Sequence, residues 1–267
     1  MMVFVFDIDG TLLKSDYTVS QETVDAIKSL ERNGHTVIFA SGRMLVSVKK
    51  FLKKFFGKDF PVIAYNGGMV WIPEKGVVFE KSVDFDSTKK IIDFLRGKSL
   101  HRQIYVDDKL YGEEDNEYIK SYARHADVEY FIVEDLVKLS KEKLPTKILS
   151  IADEKVLDNV KDELDKMNLN VDIFKSMNIF LDIVPKNVNK AEALKYLIDK
   201  LNCRDQKIVV FGDNHNDIGM FKIADFSVAV ENAVEELKKE ADYIAPSNDE
   251  DGVYVALSNH FSDIISG

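Results

Sequence analysis

The sequence predicts an α/β fold in which a core domain carries a largely parallel sheet. Apolar runs at Met2–Phe6, Thr36–Ala40 and Lys207–Phe211 alternate with stretches of helical periodicity. Strands this apolar are typical of parallel sheets that helices cover on both faces. We therefore expect one core domain built from residues 1–82 and 186–267.

The middle of the chain predicts a second, α+β domain inserted into the first. Between residues 83 and 185 the candidate strands mix polar and apolar residues, as in Gln103–Asp107 and Lys147–Ile151. Such alternation favours an antiparallel sheet that is covered on one face. Three helices are expected among these strands, at Ser87–Arg96, Glu117–His125 and Lys155–Met167.

Capping residues and spacing predict the other core elements. Ser20 is a suitable N-cap for a helix whose apolar positions Val24, Ile27 and Leu30 share one face, and Gly34 can end it. The remaining elements, in chain order, are a helix with Leu45, Val48 and Phe55 facing inward before Gly57, strands at Pro61–Tyr65 and Met69–Ile72, helices at Ala191–Leu201 and Ile218–Ala224, a strand at Phe226–Val230, a helix at Ala233–Glu240 and a strand at Tyr243–Ala245.

Composition argues against several classes of partner. Lys and Arg total 36 and Asp and Glu total 46, so the formal net charge is 36 − 46 = −10. That balance argues against a nucleic-acid partner bound by a broad basic face. No apolar run reaches the ~20 residues that span a bilayer, and the single Cys203 suits a reducing compartment. We expect a cytoplasmic protein with no membrane or nucleic-acid partner.

Two carboxylates follow the first apolar strand, in the run DIDGT at residues 7–11. Residues i and i+2 of an extended segment lie ~6.6 Å apart on one face, so Asp7 and Asp9 can point into one site. Two such carboxylates repel each other unless a cation intervenes, and Mg²⁺ suits one or two carboxylates plus a phosphate. The alternative is a surface turn, since Asp and Gly are common turn residues.

The second apolar strand ends in Ser41-Gly42-Arg43. Gly42 lets backbone N–H groups approach a ligand, and helix N-termini bind phosphate readily. A cation at the start of a helix opposes the helix dipole, so Arg43 is more easily explained by a nearby anion. The alternative is that Ser41 simply caps the following helix.

A lysine begins a later helix, in the run VPKNVNK at residues 184–190. Asn189 and Glu192 have the spacing of a capping box, which places Lys190 at the first helical position. There a cation is unfavourable unless it neutralises a phosphoryl group or a carboxylate. The alternative is an ordinary solvated surface lysine.

A third apolar strand ends in GDNHND at residues 212–217. Asp213 is a candidate third metal ligand, and Asp217 lies in the first turn of a helix, where an anion is favoured. The twelve-residue spacing of a calcium loop is missing. His215 has no His or Cys partner at ligand spacing, which favours an exposed loop histidine over a zinc ligand.

These segments converge, because open α/β sheets bind ligands beyond the carboxyl ends of their strands. Together they resemble the haloacid dehalogenase superfamily of aspartyl-phosphate phosphatases: DIDGT matches its first motif, and Ser41, Lys190 and GDNHND match the second, third and fourth. Three runs resemble its Cof-type subgroup: AYNGG at 64–68, VPKNVNK at 184–190 and VAVENA at 228–233. The resemblance implies a Rossmann-like parallel-sheet core with an inserted α+β cap.

By this resemblance Asp7 is the nucleophile that attacks phosphorus and becomes an aspartyl-phosphate. Asp9 is the acid that protonates the leaving oxygen and then the base that deprotonates the attacking water. Lys190 neutralises the phosphoryl group and Asp7. Asp217 orients Lys190 or a metal-bound water.

The resemblance also implies a Mg²⁺ cofactor, held by the Asp7 carboxylate, the backbone carbonyl of Asp9 and Asp213. The candidate substrate-binding residues come from the core strand ends: Ser41, Gly42, Arg43, Asn66 and Asn216. For Asn66 an alternative stays open, because Asn-Gly-Gly is also a good turn between two strands.

The implied activity is Mg²⁺-dependent hydrolysis of a small soluble phosphate ester, with sugar phosphates the favoured class. Related capped enzymes also act on nucleotides, pyridoxal phosphate, flavin mononucleotide and phosphoglycolate. A phosphomutase or phosphotransferase using the same aspartyl-phosphate is the main alternative, and a non-catalytic binding protein is the other. A cap of this size covers the site without a partner subunit, so we expect a monomer.

Overall fold

Two separate β-sheets organise the chain. The computed structural model describes residues 1–265. The strands are β1 Met2–Asp7, β2 Thr36–Ala40, β3 Val62–Ala64, β4 Met69–Ile72, β5 Gly76–Glu80, β6 His101–Val106, β7 Lys109–Gly112, β8 Tyr130–Ile132, β9 Lys147–Ile151, β10 Val171–Met177, β11 Phe180–Pro185, β12 Lys207–Gly212, β13 Phe226–Val230 and β14 Tyr243–Ala245. The α-helices are α1 Gln21–Arg32, α2 Leu45–Phe56, α3 Phe85–Gly97, α4 Glu117–Ala126, α5 Leu136–Glu142, α6 Glu154–Asp165, α7 Lys190–Lys200, α8 Ile218–Phe221, α9 Glu235–Lys238 and α10 Gly252–Ile265.

The predicted α/β class is confirmed, and the chain forms two units. One unit comprises Met1–Val78 with the chain from Asn189 onward, and the other comprises Phe79–Val188. Ser266 and Gly267, at the end of the predicted core, lie outside the described residues. Within residues 1–265, each helix is too short or too polar to cross a membrane.

The core sheet brings four strand ends side by side. Its strand order is β14-β13-β12-β1-β2-β3-β4-β5, and β12, β1, β2 and β3 are parallel neighbours. In this register Phe6 lies opposite Phe211, and Asp7 lies opposite Ala40. The carboxyl ends of these strands therefore line one edge of the sheet, which is the ligand-binding edge of open α/β sheets.

The centre of the core is the apolar strand β1. Val3–Phe6 has no solvent exposure at all. The Phe6 ring stacks on Phe211 with centroids 4.8 Å apart and lies 6.0 Å from Phe39. Because burying one such side chain stabilises the fold by about 1.5–3 kcal/mol, this packing fixes the strand ends firmly relative to each other.

The helix signals of the core are partly confirmed. Ser20 caps α1, where its side chain accepts the Thr23 N–H, and Gly57 ends α2 in the left-handed conformation. The prediction that Phe55 faces inward is wrong, because Phe56 is the buried residue. Eleven residues make three full helical turns, so Phe56 points the same way as Leu45.

Short elements account for most of the other differences from the sequence predictions. The helices expected at Ala233–Glu240 and Ile218–Ala224 contract to the four-residue α9 and α8. The strand β8 and the helix α5 are not predicted at all. Helices of four to seven residues make only one or two turns, which is too few to show a helical period, and two of the three residues of β8 are exposed, so β8 lacks the pattern of a buried strand.

The inserted unit is built on a six-stranded sheet of order β10-β11-β9-β6-β7-β8. Its strand pairs are antiparallel except for β7 with β8, which are parallel. Helices α3, α5 and α6 cover one face through the apolar residues Ile92, Leu136, Leu157 and Leu164, which belong to one buried cluster.

The prediction that this sheet is covered on one face only is wrong for its central strands. Every residue of β9 and β11 is buried. Helix α4 contributes to the burial of the second face, because the Tyr122 ring lies 5.9 Å from Tyr105 and 5.5 Å from Phe180. Tyrosine combines an apolar ring with a polar hydroxyl, so polar and apolar residues coexist on this face.

A buried ion pair satisfies the charged residues of these two strands. The Lys147 ammonium pairs with Asp182, whose side chain is 1% exposed, and the Ser176 hydroxyl donates to the same carboxylate. The alternating pattern in the sequence therefore reflects internally paired polar groups rather than a solvated face.

Removing the cation of this pair should destabilise the inserted unit. We expect Lys147→Met to lower the free energy of unfolding by ~3–5 kcal/mol, because Asp182 is left as an uncompensated buried charge. The double variant K147M/D182L should recover most of that loss. Urea titration followed by circular dichroism measures both.

Lys175→Met is the matched control, since Lys175 pairs with Asp158 at the surface. Such exposed pairs contribute about 1 kcal/mol or less. A loss for K147M no larger than that for K175M would contradict this account of the buried pair.

Candidate functional site

The four strand ends of the core bring most of the predicted residues together. Asp7 is the last residue of β1, Ser41 follows β2, and Asp213 follows β12. Lys190 is the first residue of α7, and Asn189 caps that helix by accepting the Glu192 N–H at 2.9 Å.

The Lys190 ammonium is the centre of the site. Its side chain is 0% exposed, and Nζ donates to Asp7 Oδ1 at 2.5 Å and to Asp217 Oδ1 at 2.8 Å. Charged side chains this buried require partners. Lys190 is therefore a paired interior cation rather than a solvated surface lysine.

Asp217 orients Lys190 and also the loop that carries Asp213. While Oδ1 accepts from Lys190, Oδ2 accepts the backbone N–H groups of Asp213 and Asn214, each at 3.1 Å. Both oxygens of this buried carboxylate are thus engaged in hydrogen bonds. Asp217 is placed to fix its neighbours rather than to bind a ligand.

The carboxylates carry more negative charge than Lys190 balances. Burial raises the pKa of Asp7 well above its ordinary value. The Lys190 ammonium lowers this pKa, but the neighbouring carboxylates of Asp217, Asp213 and Asp9 raise it further. Burial and the Asp217 carboxylate raise the pKa of Asp213 to about 6. Burial lowers the pKa of Lys190, but Asp217 and Asp7 outweigh it and raise that pKa, so the ammonium stays charged.

Asp213 lies directly over Gly10. A Cβ added to Gly10 would come within 2.4 Å of Asp213 Oδ2, and Gly10 has a left-handed φ of +77°. The Thr11 hydroxyl donates to Asp213 Oδ1 at 3.1 Å. Only glycine fits this approach without strain, so the loop after β1 is shaped to receive the Asp213 carboxylate.

The donor set fits a hard divalent cation. Asp7, Asp213 and Asp217 each offer an oxygen within 4.8 Å of the others. Asp7 Oδ2 is buried and has no hydrogen-bond partner within residues 1–265. An unpartnered buried oxygen beside a second carboxylate is stabilised by a proton or by a cation. Asp7 and Asp213 are thus the carboxylates free to hold such an ion.

Asp9 departs from the extended geometry that the sequence suggests. Strand β1 ends at Asp7, and the chain then turns, with Leu12 N–H and Leu13 N–H both donating to Ile8 O. The Asp9 side chain is 52% exposed and pairs with Arg43 instead of joining Asp7. The carboxylates of Asp7 and Asp9 therefore have different partners.

Arg43 does not begin a helix. Met44 is the N-cap of α2, so Ser41 does not cap that helix either. The buried Ser41 hydroxyl accepts the Arg43 N–H at 3.1 Å and lies 3.5 Å from Asp9 Oδ2. Burial lowers the pKa of Arg43, but hydrogen bonds to Asp9 more than offset it and raise that pKa.

The two candidate amides lie against each other. Asn216 Nδ2 donates to Asn66 Oδ1 at 2.9 Å, and a Cβ added to Gly42 would lie 3.1 Å from the same oxygen. Asn66 has a φ of 55° in the turn between β3 and β4, which is the alternative that the sequence left open. His215 is an exposed loop histidine.

Two contributing residues escape the sequence predictions. Thr11 ends the DIDGT run, yet its contact with Asp213 crosses 202 positions of the chain. Asn232 Nδ2 donates to Gly10 O at 2.8 Å and so supports the same loop. Both residues lie in runs that carry the family resemblance, DIDGT and VAVENA, but their partners depend on which strands become neighbours.

Comparison with known proteins identifies the family. A sequence model of the haloacid dehalogenase-like hydrolases matches residues 4–257. The chain belongs to this family. The family resemblance drawn from the four motifs is therefore confirmed.

The relatives are similar over almost their full length. A crystal structure of the Thermotoga maritima protein TM0651 is 43% identical, covers 97% of both chains and superposes with a TM-score of 0.91. A Bacteroides thetaiotaomicron haloacid dehalogenase-like hydrolase is 27% identical with a TM-score of 0.86, covering 97% of this chain and 99% of its own. The Bacillus subtilis 5-amino-6-(5-phospho-D-ribitylamino)uracil phosphatase YwtE is 29% identical over 95% of this chain and 96% of its own. The protein is a phosphatase of this family.

The crowded carboxylates predict that the site is destabilised when no cation is bound. In EDTA at pH 7, we expect Asp213→Asn to raise the free energy of unfolding by roughly 1–3 kcal/mol, because a repelling charge is removed. The pKa of Asp213 is 3.8 in the unfolded chain and about 6 in the folded protein, so the folded protein loses stability as the pH rises between these two values. The advantage of the variant should therefore vanish below pH ~4.

Thermal and urea unfolding in EDTA measure this difference. The exposed Asp25→Asn on α1 is the matched control and should stay within ~0.5 kcal/mol of the natural protein. A D213N protein that is less stable than the natural protein at pH 7 would contradict the repulsion.

Proposed function

We propose that the protein is a Mg²⁺-dependent phosphomonoester hydrolase that acts on small phosphate esters through a phosphorylated Asp7. The observation that carries this proposal is the state of the Asp7 carboxylate. One of its oxygens is held by Lys190, and the other is buried without a partner within residues 1–265. The Asp7 carboxylate therefore has a fixed direction and one oxygen that can still bind a ligand.

In the first step an Asp7 oxygen forms a bond to phosphorus as the bond from phosphorus to the ester oxygen breaks. The electron pair stays with the ester oxygen, which takes a proton from the Asp9 carboxyl group, so the product leaves as a neutral alcohol. The Lys190 ammonium offsets the negative charge of Asp7 and of the phosphoryl oxygens, which would otherwise repel each other.

In the second step water attacks the phosphorus of the aspartyl-phosphate. The Asp9 carboxylate accepts a proton from that water, and the bond from Asp7 to phosphorus breaks, giving inorganic phosphate and the free Asp7 carboxylate. Formation and hydrolysis of the aspartyl-phosphate thus replace one slower step, the direct attack of water on the phosphate ester. Ser41 and Lys190 are proposed to hold the phosphoryl oxygens. Both side chains are buried, Lys190 bonds to Asp7, and Ser41 directly follows Ala40, which lies opposite Asp7 in the sheet.

Asp7, Asp213 and the backbone carbonyl of Asp9 are the proposed Mg²⁺ ligands. When bound, the ion supplies positive charge for the carboxylates and for the phosphoryl group. The raised pKa values of Asp7 and Asp213 support a cation here, because a positive charge would favour the ionised form of both groups.

The proposed substrates are phosphorylated sugars and related polyol phosphates. The similar Bacillus subtilis phosphatase is named for a phosphoribitylamino substrate, which is a phosphate ester of a polyhydroxylated chain. The net charge of −10 disfavours large polyanionic substrates.

Phosphate release should require both Mg²⁺ and Asp7. Across a panel of sugar, polyol, nucleotide and aryl phosphates, we expect EDTA to abolish release and Asp7→Asn to lower it by at least ~10³-fold. The variant should remain folded, because Lys190 keeps its bond to Asp217. Full activity of D7N, or activity undiminished by EDTA, would contradict the proposal. Transfer of phosphate to a second hydroxyl instead of water would identify a phosphotransferase.

Asp9→Asn should separate proton transfer from binding. We expect kcat on sugar phosphates to fall by ~10²–10⁴-fold, because a proton carrier is lost while the nucleophile is kept. Competitive inhibition by inorganic phosphate should change little. Steady-state kinetics with phosphate as inhibitor measures both, and an unchanged kcat would refute the acid–base role.

A further inference from the structure

The guanidinium of Arg43 binds Asp9 through a two-pronged contact. Arg43 Nε donates to Asp9 Oδ2 at 2.8 Å and to Oδ1 at 3.1 Å, and Nη2 donates to Oδ1. The Asp9 side chain is 52% exposed and the Arg43 side chain 25%. The Ser41 hydroxyl, 3.5 Å from Asp9 Oδ2, holds the carboxylate much less closely. Arg43 therefore selects one orientation of the Asp9 carboxylate.

Arg43 is itself held at both of its backbone polar groups. Its N–H donates to Ser41 Oγ at 3.1 Å, and its carbonyl accepts the Tyr65 N–H at 2.9 Å. Tyr65 is almost fully buried with a φ of 53°. Bulky residues adopt this conformation only where the surroundings impose it. The loops after β2 and β3 thus give the guanidinium a fixed base.

We infer that Arg43 is a positioning residue for the acid–base group Asp9 rather than a ligand of the substrate phosphoryl group. This inference rests on the proposed function. When one oxygen of the Asp9 carboxyl group carries the proton, the other oxygen can still accept from Arg43. The carboxyl plane therefore keeps its direction while the proton passes to the leaving oxygen and while a second proton arrives from water.

The contacts of the two cations separate their roles. Lys190 bonds to Asp7 and Asp217, beside the attacking atom, whereas Arg43 directs Nε and Nη2 to Asp9. Arginine is suited to this task because its planar fork binds a carboxylate at two points, which a lysine ammonium cannot do. Loss of Arg43 should impair proton transfer and leave phosphate binding intact.

Two esters with different leaving groups distinguish these roles. An alkyl phosphate, such as a sugar phosphate, needs its leaving oxygen protonated, whereas p-nitrophenyl phosphate leaves as a stable anion. The value of kcat/KM reports steps up to the first irreversible one, which is the phosphorylation of Asp7. For Arg43→Ala we expect kcat/KM to fall by ~10–10²-fold with the alkyl ester and by less than ~3-fold with the aryl ester.

Further variants test the geometry of the contact. R43K keeps the charge but loses the fork, so we expect it to restore less than half of the activity lost on the alkyl ester. In the double variant D9N/R43A, removal of Arg43 should have no further effect, because both residues serve one function. Arg204→Ala, which removes a surface arginine paired with Asp199, is the matched control and should leave both esters unaffected.

Three results would overturn the inference while leaving the proposed function intact. Equal losses on both esters with weaker inhibition by inorganic phosphate would make Arg43 a phosphoryl ligand. Full rescue by R43K would show that charge alone suffices. An additive loss in D9N/R43A would show that Arg43 acts independently of Asp9. A natural protein that is inactive on every ester, or an active D7N variant, would overturn the proposed function and this inference with it. If the natural protein is active and D7N is inactive, any of the three results above counts against the role of Arg43 alone.

Discussion

The site depends on one buried ammonium group. Lys190 has no solvent exposure and bridges Asp7, at the end of the first strand, to Asp217, just before α8. Because a buried ion pair is costly to break from one side, this bridge ties β1, α7 and the loop after β12 into one arrangement. The same bridge directs one Asp7 oxygen toward Lys190, while the other has no hydrogen-bond partner within residues 1–265. Asp7, which anchors one end of this bridge, is thus also the proposed nucleophile.

The remaining carboxylates are kept close at a cost in stability. Asp213 is drawn over Gly10 and bonded by Thr11, although burial and Asp217 already raise its pKa to about 6. A protein selected only for stability would not hold Asp213 beside the buried Asp7 with so little compensating charge. The proposed divalent cation would supply the missing positive charge, and it would also attract the negatively charged phosphoryl group of a substrate. Asp9 stands apart from this cluster, on the exposed side, where Arg43 directs it.

Much of the fold and of the site can be predicted from the sequence, because continuous apolar runs identify the core strands and polar residues follow directly after them. Runs such as Met2–Phe6 predict buried parallel strands, and the polar residues after them predict a shared edge. The sequence does not predict which side chains pair across that edge. Asp9 meets Arg43 because the chain turns after Asp7, and Asn66 meets Asn216 although 150 positions separate them. In the inserted unit, the charged residues Lys147 and Asp182 suggest that one face of the sheet is solvated. In the structure the two side chains instead form an ion pair in the interior.

The most direct test of the central claim is covalent capture of the phosphoryl group on Asp7. The D9N protein with Mg²⁺ and p-nitrophenyl [³²P]phosphate should release a burst of p-nitrophenol stoichiometric with protein, because the aryl leaving group needs no acid and hydrolysis lacks its base. The label should be labile to hydroxylamine, as acyl phosphates are, and should map to the peptide containing Asp7. Phosphate release without labelled protein, or a label on any other residue, would contradict Asp7 as the nucleophile.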